Sequence, residues 1–120
     1  MAIFIASPAN PQGSVASPGY FSRLKQLADR YGFMILSDEC YSEIYTRQAP
    51  GSALEAAGPD FANVVAFQSL SKRSNLPGMR VGFAAGSGIT PILSIAASTL
   101  EEQPDSKFTL IYGNRRMSTV

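Results

Sequence analysis

Histidine is absent from these 120 residues. Its absence excludes Ser-His-Asp and Cys-His catalysis and any histidine-ligated metal site. Chemistry must therefore run through lysine, acids, tyrosine or a bound cofactor. Cysteine occurs once, as Cys40, so no internal disulfide can form, and a reducing, cytoplasmic setting is expected. An excess of either charge is also missing: Lys and Arg number 10 and Asp and Glu 9, for a net charge of +1. This leaves no electrostatic case for nucleic acid or an anionic membrane. No apolar run is long enough to span a bilayer. The opening Met1-Ala2-Ile3-Phe4-Ile5 lacks the basic start of a signal peptide and reads as a strand. What is present is an ordinary globular composition, 45% hydrophobic and 16% charged, in a length that supports one modest core.

The pattern alternates strand and helix. Ala2 to Ser7 is a short apolar run stopped by Pro8 and is predicted to be a buried strand. Ser17-Pro18 supplies an N-cap followed by proline at the first helical position. Tyr20, Leu24, Leu27, Ala28 and Tyr31 then recur at helical spacing, up to Gly32 as C′ residue. Phe33 to Ser37 and Asn63 to Gln68 read as further buried strands. A helical turn is expected within Glu39 to Tyr45, and a short helix at Ala53 to Ala57. Ser69 to Gly78 reads as irregular, Met79 to Ala84 as a fourth strand, Gly86-Ser87-Gly88 as a tight turn, Thr90 to about Glu102 as a helix and Phe108 to Tyr112 as a fifth strand. The expected fold is α/β, a mostly parallel sheet of about five strands with flanking helices. Ligands of such sheets bind beyond the carboxyl ends of the strands. Asn10, Asp38 and Lys72 all follow strand ends, so the topology can bring them to one edge.

Each has a plainer reading. Asp38 can cap a helical turn, and Asn10 before a proline is a common turn residue. Tyr41 and Tyr45 are spaced to share one buried helical face. Cys40 fits a small buried residue better than a nucleophile. The ordered set is more specific than its members. Asn10-Pro11-Gln12-Gly13, then Asp38-Glu39-Cys40-Tyr41, then Ser69-Leu70-Ser71-Lys72 with Gly78-Met79-Arg80-Val81-Gly82 resembles the large domain of fold-type I aminotransferases dependent on pyridoxal 5′-phosphate (PLP), closest in wording to the succinyldiaminopimelate aminotransferases.

That resemblance implies a partial large domain over residues 1–84 and amino-group transfer between an amino acid and a 2-oxo acid through a lysine aldimine. Lys72 matches the cofactor lysine, which also moves the substrate's α-proton. Asp38 matches the carboxylate that pairs with the pyridine nitrogen and strengthens the electron sink. Tyr41 and Asn10 match the groups that bond the ring's phenolic oxygen. Ser69, Ser71 and Arg80 match phosphate ligands, with Arg80 offering a bidentate fork. The family's earlier stretch and its later substrate-binding domain have no counterpart in this sequence, so little or no transamination is expected.

From Ala84 the wording changes. Ala84-Ala85-Gly86-Ser87-Gly88-Ile89-Thr90-Pro91 and Phe108-Thr109-Leu110-Ile111-Tyr112-Gly113-Asn114-Arg115 resemble the NAD(P)-binding domain of ferredoxin–NADP reductase-like oxygenase reductases. This implies a chimera joined near Ala84 to Gly86, with residues 85–120 forming a βαβ-type nucleotide-binding piece, whether separate or in one joint core. Gly86, Gly88 and Thr90 are its candidate cofactor contacts, by way of small residues and a helix N-terminus, and NAD(P) is the secondary cofactor candidate. The alternatives to an aminotransferase piece are a nucleotide- or phosphate-binding module at this turn, and a non-catalytic chimera that self-associates through exposed sheet edges.

Overall fold

The computed structural model describes residues 1–79, 81–86 and 101. The chain divides into two compact units, Met1–Ser87 and Gly88–Val120. Local signals set the one long helix of the first unit. Ser17 caps α1 (Pro18–Tyr31) by accepting from the Tyr20 amide at 3.1 Å, and Pro18 fills the first helical position. Gly32 ends the helix at φ 67°, its N–H donating to the Ala28 carbonyl at 2.8 Å. Only glycine adopts that conformation without strain.

Four strands form one sheet in the order β1-β2-β3-β4. β1 (Ala2–Ala6), β2 (Met34–Asp38) and β3 (Val64–Ser69) run parallel. β4 (Gly82–Gly86) runs antiparallel to β3. The sheet is mostly parallel, as the sequence suggests, and β4 alone reverses direction. The reason is the link from β3 to β4, which holds only the single helical turn α2 (Leu70–Arg73) and a 3-10 turn at Pro77–Met79. A parallel return usually runs through a full crossover helix, which these short turns do not supply. The fifth strand and the helix expected from Thr90 lie outside the described residues.

The core lies between α1, β2, β3 and the 3-10 turn Ala53–Ala56. Phe21, Leu24 and Ala28 of α1 meet Phe33, Ile35, Ala53, Ala57 and Val64. Phe21 and Ile35 are each 1% exposed, and such burial stabilises by about 2 kcal/mol per side chain. β1 departs from expectation. Its apolar run predicts a buried strand, yet Ala2, Ile3 and Phe4 are exposed, because β1 is an edge of the described sheet. The stretch after β2 forms hydrogen-bonded turns and not a helix, with Ser42 N–H donating to the Glu39 carbonyl and Ile44 N–H to the Tyr41 carbonyl, both at 3.0 Å. Tyr45 is exposed, so Tyr41 and Tyr45 do not share a buried helical face. No described helix is long and apolar enough to cross a membrane.

Candidate functional site

The carboxyl ends of β1, β2 and β3 each deliver polar groups to one edge of the sheet. Beyond β1, Ser7 N–H extends the ladder by donating to the Asp38 carbonyl at 2.9 Å, and buried Ser7 Oγ accepts from the Ala16 amide at 3.0 Å. The Pro8 to Ser14 loop closes on itself, with Gly13 N–H donating to the Ala9 carbonyl at 2.7 Å and Ala9 N–H to the Ser14 carbonyl at 2.9 Å. Asn10 projects from this loop and donates through Nδ2 to the Tyr41 hydroxyl at 3.2 Å.

Beyond β2, Asp38 Oδ1 accepts from the Cys40 amide at 3.1 Å. This is an Asx turn and not the cap of a helical turn, and it leaves the other carboxylate oxygen uncommitted by this bond. Beyond β3, Ser69 Oγ accepts from the Ser71 amide at 3.2 Å and caps α2. Lys72 on that turn sets its ammonium 5.8 Å from the centre of the Tyr41 ring, within cation–π range. Next to it, Arg73 pairs with Glu43 at 3.6 Å and lies 5.7 Å from the Phe83 ring. This ion pair ties α2 to the turn that carries Tyr41.

The result is a cleft of about 530 Å³ lined by Asn10, Asp38, Cys40, Tyr41, Ser69, Ser71 and Lys72, with Ala6, Pro8, Val81 and Gly82. Its size lies within the usual range for small-ligand sites. An adjoining cavity of about 500 Å³ shares Pro8, Asn10 and Tyr41 and is also lined by Ile44, Tyr45 and Arg47. The cleft's donor set is an amine, a carboxylate, a phenol held by an amide, and two hydroxyls beside a capped turn. These groups suit an aldehyde-bearing aromatic phosphate such as PLP. Burial first, and the hydrogen bond and charge of Asp38 second, together push the Cys40 thiol up to about 12, with Lys72 opposing them. The thiol is thus no nucleophile at neutral pH.

Six residues singled out from sequence, Asn10, Asp38, Tyr41, Ser69, Ser71 and Lys72, meet at this cleft. Arg80, Gly88 and Thr90 lie outside the described residues. Gly86 needs correction. The sequence pattern puts it in a tight turn that approaches a nucleotide, but it is the last residue of β4 and pairs with Val65. A Cβ there would collide with the Val64 carbonyl, so the close approach it permits is between strands. Sequence reasoning passes over two groups. One is the Arg73–Glu43 pair. The other is Glu39, which is 2% exposed and bonded to Ser37, Ala53 and Gln68. Strand parity holds the clue to Glu39, which continues the inward series Ile35, Ser37.

Comparison with known proteins fits this geometry. The family model for aminotransferase class I and II matches residues 1–103. An LL-diaminopimelate aminotransferase of Desulforudis audaxviator is 42% identical over 85 residues, which is 70% of this chain and 21% of that protein. The crystal structure of an aminotransferase from Neisseria meningitidis superposes with a TM-score of 0.71 at 40% identity, covering 85% of this chain and 27% of that one. The chain thus spans about a fifth to a quarter of these relatives' length. A separate likeness, 63% identity over 38 residues, is to one of the subunits of the 1,2-phenylacetyl-CoA epoxidase of Escherichia coli and covers 32% of this chain and 11% of that protein.

Proposed function

Because this chain belongs to the class I and II aminotransferase family, we propose that its cleft would hold PLP, with Lys72 as the amine that would face the cofactor's aldehyde. The observation that supports this is the meeting of Asn10, Asp38, Tyr41, Ser69, Ser71 and Lys72, from three strand ends, around one cavity. When bound, the cofactor supplies an electron sink for a carbanion at the substrate's α-carbon. The chain's own residues do the rest. Asp38 holds a proton at the ring nitrogen. Tyr41, fixed by Asn10, donates to the ring's phenolic oxygen. Ser69 and Ser71 bind phosphate at the start of α2, and Arg80 joins them by the same assignment. Lys72 Nζ, held over the Tyr41 ring, accepts and returns the α-proton, so histidine is not needed. The substrates are an amino acid and a 2-oxo acid, with diaminopimelate-type compounds the leading class, given the relatives' names. A cytoplasmic setting follows from the same reading.

These residues bind and orient the cofactor, whereas turnover also needs a grip on the substrate carboxylate. We therefore expect the 120-residue chain alone to bind PLP measurably and to transaminate little. A thermal-shift titration tests the binding. PLP should raise the midpoint in the wild type, the unphosphorylated aldehyde should raise it less, and Lys72→Ala and Asp38→Asn should blunt the rise. Ligand at about 100 times its dissociation constant adds about 2.7 kcal/mol of stability. A flat titration contradicts the proposal.

For the tail we propose descent from an oxygenase reductase, with a join near Ala84 to Gly86. The support is the high-identity likeness to the epoxidase protein, whose 38-residue length is close to that of the segment from Ala84 to Val120. The aminotransferase match runs past that join to residue 103, so the two likenesses compete for part of the tail.

A further inference from the structure

We propose that Glu39 is a positioning residue that fixes Asp38, Cys40 and Tyr41 at the cleft through its reach to Ala53, and not through its charge. β2 alternates. Ile35 and Ser37 face the core that α1 covers, Asp38 faces the cleft, and Glu39 turns back inward and is 2% exposed. Its Oε1 accepts from Ser37 Oγ at 3.0 Å and from the Ala53 amide at 2.8 Å, and its Oε2 faces Gln68 Nε2 at 3.5 Å. Its backbone is fastened as well, N–H to the Phe67 carbonyl at 2.9 Å and carbonyl to the Ser42 amide at 3.0 Å. One side chain therefore ties the end of β2 to β3 and to the 3-10 turn Ala53–Ala56. Asp38 and Cys40 flank Glu39 directly, and Tyr41 lies one turn residue further on. If Glu39 lets go of Ala53, the segment that carries all three is held at fewer points.

The chemistry separates reach from charge. All three partners donate, so the position requires an acceptor of the right length. Glutamine keeps that length, and its carbonyl can serve Ser37 and Ala53. Its amide then needs an acceptor from Gln68, which a turn of the Gln68 amide provides, since both ends of that amide already lie 3.3 Å from Ser42 Oγ. Aspartate keeps the charge but is one methylene short of the Ala53 amide.

The consequence for cofactor binding rests on the proposed function, whereas the geometry can be read without it. Iodoacetamide alkylation of Cys40 in the cofactor-free chain reports how firmly the segment is held. Glu39→Gln should react within about twofold of the wild type and Glu39→Asp about tenfold faster, the effect of one lost buried hydrogen bond. In borohydride trapping with PLP, the ratio of Lys72 to Lys25 labelling should fall about tenfold in Glu39→Asp and hold in Glu39→Gln. The reverse order of the two variants, or wild-type alkylation in Glu39→Asp, overturns the proposal. If the wild type labels Lys72 no better than Lys25, the cofactor reading fails, and the alkylation order still decides the role of Glu39. If Glu39→Asp does not fold by circular dichroism, Gln68→Leu replaces it. Losing that outer donor should speed alkylation about threefold, and no change overturns the proposal.

Discussion

Cys40 lines the cleft beside Asp38 and Tyr41, and its thiol gives a direct reading of the charges there. Its ionisation is pushed from an ordinary 9.0 up to about 12, by burial first and by Asp38 second, with Lys72 opposing. The folded state therefore keeps the thiol's proton more firmly than the unfolded chain. The associated stability is whole below 9.0 and is lost as pH rises toward about 12. The rate of Cys40 alkylation against pH should inflect near 9.0 in urea and well above it in the native chain. Asp38→Asn should move the native inflection down and Lys72→Ala should move it up. Unmoved profiles would mean that neither group faces the thiol. At this scale the sequence is informative for residues that follow strand ends in recognisable wording, Asn10, Asp38, Tyr41 and Lys72. It is silent on Glu39, whose partners Ala53 and Gln68 lie 14 and 29 residues away, a separation that no local pattern reports.

Helix α1 and strand β4 mark the two limits of local reading. The bounds of α1 are legible because Ser17, Pro18 and Gly32 encode them in adjacent residues. The direction of β4 is not, since it depends on the length and shape of the link from β3. Gly86 looks like a phosphate-loop glycine because the constraint on it comes from Val64, twenty-two positions earlier. The elements differ accordingly in how they should respond to mutation. Ser17→Ala should lower stability by about 1 kcal/mol through loss of the cap. Gly32→Ala should lower it by about 1–2 kcal/mol, the usual left-handed penalty. Gly86→Ala should lower it by about 3 kcal/mol or more, because backbone must move to admit the methyl. Urea denaturation of the three variants checks the order. A mild Gly86→Ala would put β4 further from β3 than the described ladder allows.

Viewed whole, the described unit is a four-stranded sheet with β1 at one edge. Among the described residues Phe4 is 65% exposed on edge strand β1, and Met1 before it 89%. Open ladder groups beside exposed apolar side chains invite pairing with a second copy. The 120-residue chain should sediment as a concentration-dependent mixture of monomer and dimer, and Phe4→Lys should shift it to monomer. A monodisperse monomer at every concentration would show that β1 is not sticky. Six residues from three strand ends meet at the cleft around Lys72, and the proposal is that they hold PLP there. The most direct test is borohydride reduction of the chain with PLP, peptide mapping of the label, and Lys72→Ala as control. The account predicts label concentrated on Lys72, well above Lys25 and Lys107, and lost in the variant. Even labelling of all three lysines would contradict it and leave the motifs without a working site.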